Sequence, residues 1–297
     1  MDFDEFLRLE RGLTENSVRA YHTDIEKLVS YLSLDGRALI GPEELTCKDL
    51  QGFVRWLADI QIKPRTQARI LSGIKSFYKN LIIKEKIDED PTEQFQTPKI
   101  ERKLPTVLSV EEIRSIEDSF DTGRVDGVRN RAIIETLYSC GLRVSELTEL
   151  RLSQMNFEVG CVVIEGKGRK ERIVPIGERA RDYIREYVDG LRQTQKIEPG
   201  NEDYVFINRS GTKLSRIMIF NIIKEVASKV GITKVVSPHT LRHSFATHLV
   251  DGGANLRAVQ EMLGHESIVT TEIYTHLDDS YLRSTMMEHH PYAKKEE

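Results

Sequence analysis

Six side chains in the second half of the chain have the chemical types needed to attack a phosphodiester. They comprise two arginines, a lysine, two histidines and a tyrosine: Arg143, Lys167, His239, Arg242, His265 and Tyr274. Arginine forks bind phosphate oxygens through paired hydrogen bonds and stabilise the extra negative charge of a pentacovalent transition state. A tyrosine hydroxyl becomes a nucleophile when a base or nearby positive charge favours its ionised form, and a lysine or histidine can protonate the leaving oxygen.

Each of these residues also has an ordinary structural explanation when it is taken alone. Lys167 could be a solvated turn lysine, and Tyr274 is one of 10 tyrosines. His239 and Arg242 are three residues apart and share a helix face, but they could simply be a pair at a helix start. His265 could cap the C-terminal end of a helix, where a positive charge is favourable. Residue types and spacing therefore leave the chemistry open, and the elements that position the residues have to be considered.

The second half of the chain is predicted to be helical around one β-hairpin. β-Branched runs at 161–164 and 172–175 flank a glycine-bearing turn at 165–170, which predicts a hairpin with Lys167 in its turn. A helix that starts after Ser237 carries both His239 and Arg242, has an apolar face at positions 241, 245 and 249, and ends at 251–253. The next helix begins at 255 and ends at Gly264, directly before His265.

The first hundred residues are predicted to form a small helical bundle. Thr14 caps a first helix, whose apolar residues recur at helical spacing: Val18, Tyr21, Ile25, Leu28, Val29 and Leu32. Thr46 with Asp49 begins a second helix, which continues through Trp56 and Leu57. Pro64 suits the first turn of a third helix. The apolar face of this third helix consists of Ile70, Ile74, Phe77 and Leu81.

Two clusters of basic residues predict contacts with nucleic acid. The net charge of -4 argues weakly against such a partner, but binding depends on where the basic residues lie. Residues 61–80 hold no acidic residue, and a second basic cluster occupies 167–172. The predicted DNA-binding residues of both clusters are Lys63, Arg65, Arg69, Lys75, Lys79, Arg169 and Lys170. For the first cluster, the alternative is a solvated helix face.

The length of 297 residues suits about two domains. Three prolines among charged residues, Pro91, Pro98 and Pro105, predict a linker between them. We therefore predict a helical DNA-binding domain at 1–88, a linker at 89–105, a second domain at 106–290 and a tail at 291–297. A capping box of Ser109 with Glu112 opens the second domain. An acidic start without a signal-peptide core, and no apolar run of membrane length, predict a cytoplasmic protein without membrane contact.

The combination of these features resembles the tyrosine recombinases, and within them the Xer-type proteins of bacteria and archaea. The resembling segments are 138–147 (YSCGLRVSEL), 166–172 (GKGRKER), 237–249 (SPHTLRHSFATHL), 263–265 (LGH) and 270–276 (TTEIYTH). They occur in the order typical of the family. Leu13, Thr14 and Tyr21 are similar to the start of the family's core-binding domain, so the resemblance spans nearly the whole chain.

The resemblance implies a mainly α fold with a small β-sheet or hairpin, arranged as a two-domain clamp of a SAM-like core-binding domain and a catalytic domain. It implies that Arg143 and Arg242 hold the scissile phosphate and that Tyr274 forms a 3′-phosphotyrosyl bond. His239 would bind the phosphate and accept the tyrosine proton, Lys167 would protonate the 5′-oxygen, and a phosphate oxygen would be bound by His265. Glu146 would orient Arg143. No metal or other cofactor is implied, because the ester conserves the bond energy.

The implied partners are double-stranded DNA with an inverted-repeat, dif-like core site and further recombinase subunits in a homo-tetramer or hetero-tetramer. The other implied partners are a paralogous recombinase and a septal DNA translocase that activates the complex. The implied biological role is the resolution of chromosome dimers at cell division. A short helix from Ser280 to before Pro291 is expected to dock on a neighbouring subunit when the protein is bound to DNA; the alternative is that it folds back on its own subunit in the free protein. The alternatives are a mobile-element integrase, a regulator that binds DNA without recombining it, and a topoisomerase that only relaxes DNA.

Overall fold

The computed structural model of the protein describes residues 2–34, 36, 40–95, 98, 105–166, 171–264 and 279–292. Contacts between Cα atoms divide the chain into two compact units, Met1–Lys103 and Leu104–Glu297. Both units are mainly helical, and the second contains a small sheet, so the predicted fold class is confirmed. Among the described residues, no helix combines the length and the apolar character that a membrane span requires.

The described residues of the N-terminal unit form four α-helices: α1 (Phe3–Glu5, continued by a π-helical turn at Phe6–Glu10), α2 (Glu15–Leu34), α3 (Cys47–Asp59) and α4 (Pro64–Ile83). The predicted start signals are present. Thr46 and Asp49 form a capping box at the start of α3, and Pro64 occupies the first turn of α4. The core packs Leu50 and Phe53 of α3 against Ile70 and Ile74 of α4.

The apolar face predicted for α2 is wrong at Val29. This residue is 53% exposed, whereas Asp24 is buried. Asp24, Leu28 and Leu32 recur every four residues and therefore lie on one face, while Val29 lies about 100° further round the helix. A charged residue thus occupies a core position of α2.

The N-terminal unit extends beyond the predicted boundary at residue 88. The turns after Asp90 bury Thr92 completely, and Phe95 is 7% exposed. Phe95 belongs to the same apolar core as α3 and α4, and the Lys75 ammonium lies 6.0 Å from its ring centroid. Part of the predicted linker is therefore packed onto the first unit, because its aromatic ring contributes apolar area to a small core.

The second unit contains eight helices and three strands among the described residues. They are α5 (Val110–Asp118), α6 (Val125–Ser139), α7 (Val144–Glu149), β1 (Met155–Asn156), β2 (Cys161–Glu165), β3 (Glu171–Pro175), α8 (Glu178–Arg185), α9 (Arg216–Lys229), α10 (Pro238–Asp251), α11 (Leu256–Leu263) and α12 (Asp279–His289). The predicted capping box of Ser109 and Glu112 opens α5. Helix α6 is buried along most of its length and packs against α8 and α10.

The predicted hairpin is confirmed and is part of a three-stranded antiparallel sheet in the order β1-β2-β3. The third strand, β1, was not predicted, since two residues are too few for a detectable alternation. In the hairpin, Val162 pairs with Val174, and Ile164 pairs with Arg172. This register brings the Arg172 backbone opposite a buried strand residue close to the turn.

The C-terminal helix α12 packs on its own unit. It contacts β3, α10 and α11, and it buries Leu282, Thr285 and Met286. Tyr292, which was predicted to lie in a tail, is 5% exposed, and its hydroxyl donates to the Val110 carbonyl at 3.4 Å. The segment therefore continues the core of this unit through residue 292, because α12 alone is too short to be stable without tertiary packing.

Candidate active site

Gly141 creates the turn that places Arg143 in the site. Its φ of +57° is in the left-handed region, where a side chain is strained, and a Cβ would lie 2.5 Å from the Phe245 ring. Glycine is therefore required between α6 and α7. The chain leaves α6 at this turn, and Arg143 becomes the N-cap residue of α7.

Arg242 projects from α10 to the same place. It is 7% exposed, and it donates hydrogen bonds to the carbonyl oxygens of Gly141 at 2.6 Å and Leu263 at 2.5 Å. Burial, and then the positive charge of Arg143, lower the pKa of Arg242 to about 10. The guanidinium remains charged near neutral pH, and these two bonds leave it with further N–H groups that can donate.

Arg143 is held by two contacts but keeps access to solvent. Its Nη1 donates to Glu146 Oε1 at 2.7 Å, and its Nη2 donates to the Gly264 carbonyl at 3.0 Å. The side chain is 37% exposed. The predicted association of Glu146 with Arg143 is confirmed, and the solvent-exposed side of the guanidinium can bind an anion.

Glu146 is a buried carboxylate among three guanidinium groups. Besides Arg143, its oxygens receive hydrogen bonds from Arg172 Nη1 at 2.8 Å and Nη2 at 2.9 Å, and Arg242 Nη1 lies 3.9 Å away. Burial raises the pKa of the Glu146 carboxyl. Hydrogen bonds and positive charge from Arg172, together with hydrogen bonds from Arg143, outweigh that effect, so the pKa lies below its ordinary value.

Arg172 is the residue of this cluster that was not predicted from the sequence. It lies among the basic residues that follow Gly166, where solvent exposure is the usual expectation. Its side chain is only 14% exposed. One signal could have indicated it: in a strand that alternates inward and outward, Arg172 has the same parity as the buried Val174.

A cleft of about 550 Å³ opens beside this cluster. Its walls include Arg143, Glu146, Arg151 and Gly166, which is the residue directly before Lys167, together with two carboxylates outside the cluster, Glu149 and Glu165. A single carboxylate among three guanidinium groups leaves the cluster positively charged next to an open cavity. This arrangement can bind an anion such as a phosphodiester.

Of the other four predicted catalytic residues, the structure describes only His239. His239 is exposed in the first turn of α10, one helical turn before Arg242. Three predicted catalytic residues (Lys167, His265 and Tyr274) and two predicted DNA contacts (Arg169 and Lys170) lie outside the described residues. The structure thus brings Arg143 and Arg242 together and places His239 on the same helix as Arg242.

The predicted DNA contacts of the N-terminal unit differ in their surroundings. Lys63, Arg65 and Lys79 are exposed. Arg69 is 46% exposed and donates to both carboxylate oxygens of Asp24 at 2.7 and 2.6 Å. Because Asp24 is buried, Arg69 has a structural contact in addition to any contact with DNA, and DNA binding by this patch stays a prediction.

Comparison with known proteins decides the family. The family model described as phage integrase, N-terminal SAM-like domain, matches residues 1–85, and the phage integrase family model matches residues 106–280. The tyrosine recombinase XerD of Listeria innocua is 39% identical over 292 residues, which covers 98% of each chain. XerD of Oceanobacillus iheyensis is 41% identical over 293 residues, again with 98% of each chain covered. The chain belongs to the Xer-type tyrosine recombinases.

Solved structures support the same assignment for this tyrosine recombinase at the level of the fold. A XerH recombinase bound to its difH substrate before cleavage matches with a TM-score of 0.69 at 23% identity, covering 95% of this chain and 82% of that one. The full-length XerD relatives, at 39% and 41% identity, show that site-specific DNA recombination is the activity of the enzyme. The matches over nearly the full length do not favour the alternative of a regulator without recombination or of a mobile-element integrase.

Proposed function

We propose that this recombinase cuts and rejoins double-stranded DNA through a phosphotyrosyl intermediate on Tyr274. The Tyr274 hydroxyl oxygen attacks the scissile phosphorus, and the bond from phosphorus to the 5′-oxygen breaks. The products are a 3′-phosphotyrosyl ester and a free 5′-hydroxyl. Attack by a 5′-hydroxyl on the ester reverses these steps and restores the phosphodiester, so the exchange consumes no external energy source.

The proposed roles follow the chemistry of each side chain. Arg143 and Arg242 bind the non-bridging oxygens and stabilise the added negative charge. His239 accepts the tyrosine proton, Lys167 donates a proton to the departing 5′-oxygen, and His265 donates a hydrogen bond to the phosphate. None of these steps involves a metal or another cofactor.

The observation that carries the proposal is the positively charged cluster beside the cleft. Arg143 and Arg242 come from sequence segments about a hundred residues apart, yet both contact the short stretch Leu263–Gly264 that immediately precedes His265. The end of α11 is thereby fixed between the two guanidinium groups. A phosphate bound there would lie next to the position from which the chain continues to His265 and Tyr274.

We also propose the biological setting. The substrate is an inverted-repeat, dif-like core site, bound by a homo-tetramer or by a hetero-tetramer with a paralogous recombinase. A septal DNA translocase activates the complex, and the role is resolution of chromosome dimers at cell division in the cytoplasm. The clamp arrangement of the two domains belongs to the same proposal. The XerD names of the full-length relatives support this setting.

The nucleophile is tested with a nicked duplex that traps the covalent adduct, because the short 5′-fragment diffuses away after cleavage. Tyr274→Phe should bind this DNA with unchanged affinity and form no adduct that survives denaturation. Tyr281→Phe is the matched control, since Tyr281 is exposed on α12 and follows Tyr274 by seven residues in the sequence. Tyr292 is a poor substitute nucleophile, because burial raises its pKa strongly. An adduct formed by Tyr274→Phe would assign the nucleophile elsewhere.

The general acid is tested with a better leaving group. Lys167→Ala should cleave ordinary DNA slowly, because the departing 5′-oxygen lacks a proton donor. On DNA with sulfur in the 5′-bridging position, it should cleave at a rate close to that of the wild type, since a thiolate needs no proton. An equal defect on both substrates would remove Lys167 from this role.

A further inference from the structure

Arg172 makes more contacts with the site than a neutralising partner of Glu146 would need. Two of its nitrogens donate to the Glu146 oxygens, and its Nε donates to the Met262 carbonyl at 3.0 Å. The side chain also lies against Gly264, where an added Cβ would be 3.0 Å from Arg172 Cδ. The guanidinium is therefore fixed on three sides, by a carboxylate, a carbonyl and a backbone surface.

The three guanidinium groups hold three consecutive carbonyl groups at the end of α11. Arg172 binds the carbonyl of Met262, Arg242 that of Leu263, and Arg143 that of Gly264. The last carbonyls of a helix have no partner within the helix, and cations are favourable there. Each of these arginines comes from a different element, so the end of α11 is fixed relative to β3, α10 and the start of α7.

Glu146 connects the same three arginines from the other side. Without Arg172, the carboxylate would lose two of its four hydrogen bonds and would keep only those from Arg143, whose backbone N–H and Nη1 each donate at 2.7 Å. Arg143 depends on that carboxylate for one of its two contacts. Removal of Arg172 thus loosens both of the groups that hold Arg143, namely Glu146 and the end of α11.

We propose that Arg172 is a positioning residue for the cleavage reaction. It fixes Glu146 and the end of α11, and through them it holds the Arg143 guanidinium where the scissile phosphate binds. This inference rests on the proposed function, because it assumes that Arg143 binds that phosphate. Arg172 acts through these groups, because its side chain is only 14% exposed and its guanidinium donates to Glu146 and Met262.

The test measures single-turnover adduct formation on a nicked duplex, with either a normal scissile phosphate or an uncharged methylphosphonate at that position. Arg172→Ala should slow the reaction on normal DNA by about 100-fold, the scale of a misplaced catalytic group. DNA affinity should change by less than about threefold, since phosphate positioning matters mainly in the transition state. Arg143→Ala is measured in parallel on both substrates.

The methylphosphonate separates positioning from stability. It carries one negative charge fewer than the normal phosphate in both the ground state and the transition state, so the defect of Arg143→Ala should shrink on it, and the defect of Arg172→Ala should shrink to below about 10-fold. Arg131→Ala is the matched control, because Arg131 is also largely buried and bridges to Glu186 at 2.6 Å, away from the site. It should lower the melting temperature and leave the rate unchanged on both substrates. If Arg172→Ala does not fold, Arg172→Lys is compared in the same way.

Two results would overturn the inference, and they are distinguishable. If the methylphosphonate relieves Arg143→Ala but leaves the defect of the Arg172 variant unchanged, then Arg172 is only structural, and the proposed function stands. If it relieves neither variant, the phosphate-binding role of Arg143 fails, and the proposed function fails with it.

Discussion

Glu146 offers the strongest test of how the active-site cluster is held together. Glu146→Gln keeps the size of the side chain and one acceptor oxygen, but it removes the only carboxylate that the described residues place among Arg143, Arg172 and Arg242. Removal of one partner from a buried ion pair costs about 3–5 kcal/mol, and exposed partners contribute less. Because Arg143 is 37% exposed, we expect the lower end, about 3 kcal/mol of unfolding free energy.

The loss should be visible in thermal unfolding at neutral pH. For a unit of this size, about 1 kcal/mol corresponds to roughly 2–4 °C, so the melting temperature should fall by about 6–12 °C. Glu149→Gln is the control, because Glu149 is 55% exposed and its ion pair with Lys213 is on the surface. Its melting temperature should change by no more than about 4 °C, since surface pairs contribute about 0–1 kcal/mol.

The pH dependence identifies the cause of the change. The pKa of Glu146 is lowered in the folded protein, so the stability that its carboxylate contributes is fully present above the ordinary carboxyl pKa of about 4.3 and is lost as the pH falls through the lowered value. The difference in melting temperature between wild type and Glu146→Gln should therefore be constant at neutral pH and disappear under acidic conditions. A melting temperature within about 1 °C of the wild type at neutral pH, or a difference that persists under acidic conditions, would refute the electrostatic explanation.

Three other predictions concern the rest of the chain. Arg69→Ala should destabilise the N-terminal unit by about 2 kcal/mol in denaturant unfolding, because buried Asp24 loses both hydrogen bonds, and adding Asp24→Asn should restore part of the loss. Arg65→Ala and Lys79→Ala should each reduce the slope of log affinity against log salt by about 0.9, and unchanged slopes would remove them from the DNA interface. Burial lowers the pKa of His290 to about 3, so only the unfolded chain takes up its proton as the pH falls below about 6.5. Wild type should then lose stability relative to His290→Phe between neutral and mildly acidic pH, and parallel melting curves would contradict this.

Short-range signals explain why much of the fold could be predicted. The capping boxes at Thr46 and Ser109, and the left-handed Gly264 after α11, are formed by residues within a few positions of each other. The β-hairpin likewise joins two runs that are adjacent in sequence. Such features are determined by local backbone geometry and by hydrogen bonds that the chain can form without distant partners.

The sequence by itself also singled out Arg143 and Arg242 as candidate phosphate-binding residues, because their motifs are specific to a family, and the structure brings their side chains together. It could not identify Arg172 or the buried Asp24. Arg172 contacts Met262 across 90 residues, and Arg69 contacts Asp24 across 45. Arg172 and Asp24 are charged residues, which usually lie on the surface, and only the packing of distant segments buries their side chains.

The position of α12 likewise depends on the packing of segments that are distant in sequence. Its sequence predicts a short helix with an apolar side, which could pack on its own subunit or on a neighbour. In the structure, Leu282 and Met286 are buried in the same core as α10 and β3. An amphipathic pattern specifies that a helix must bury one face, but not against which surface, since the hydrophobic effect is not directional. That choice, like the convergence of three arginines on Glu146, depends on which surfaces the complete fold brings within contact distance.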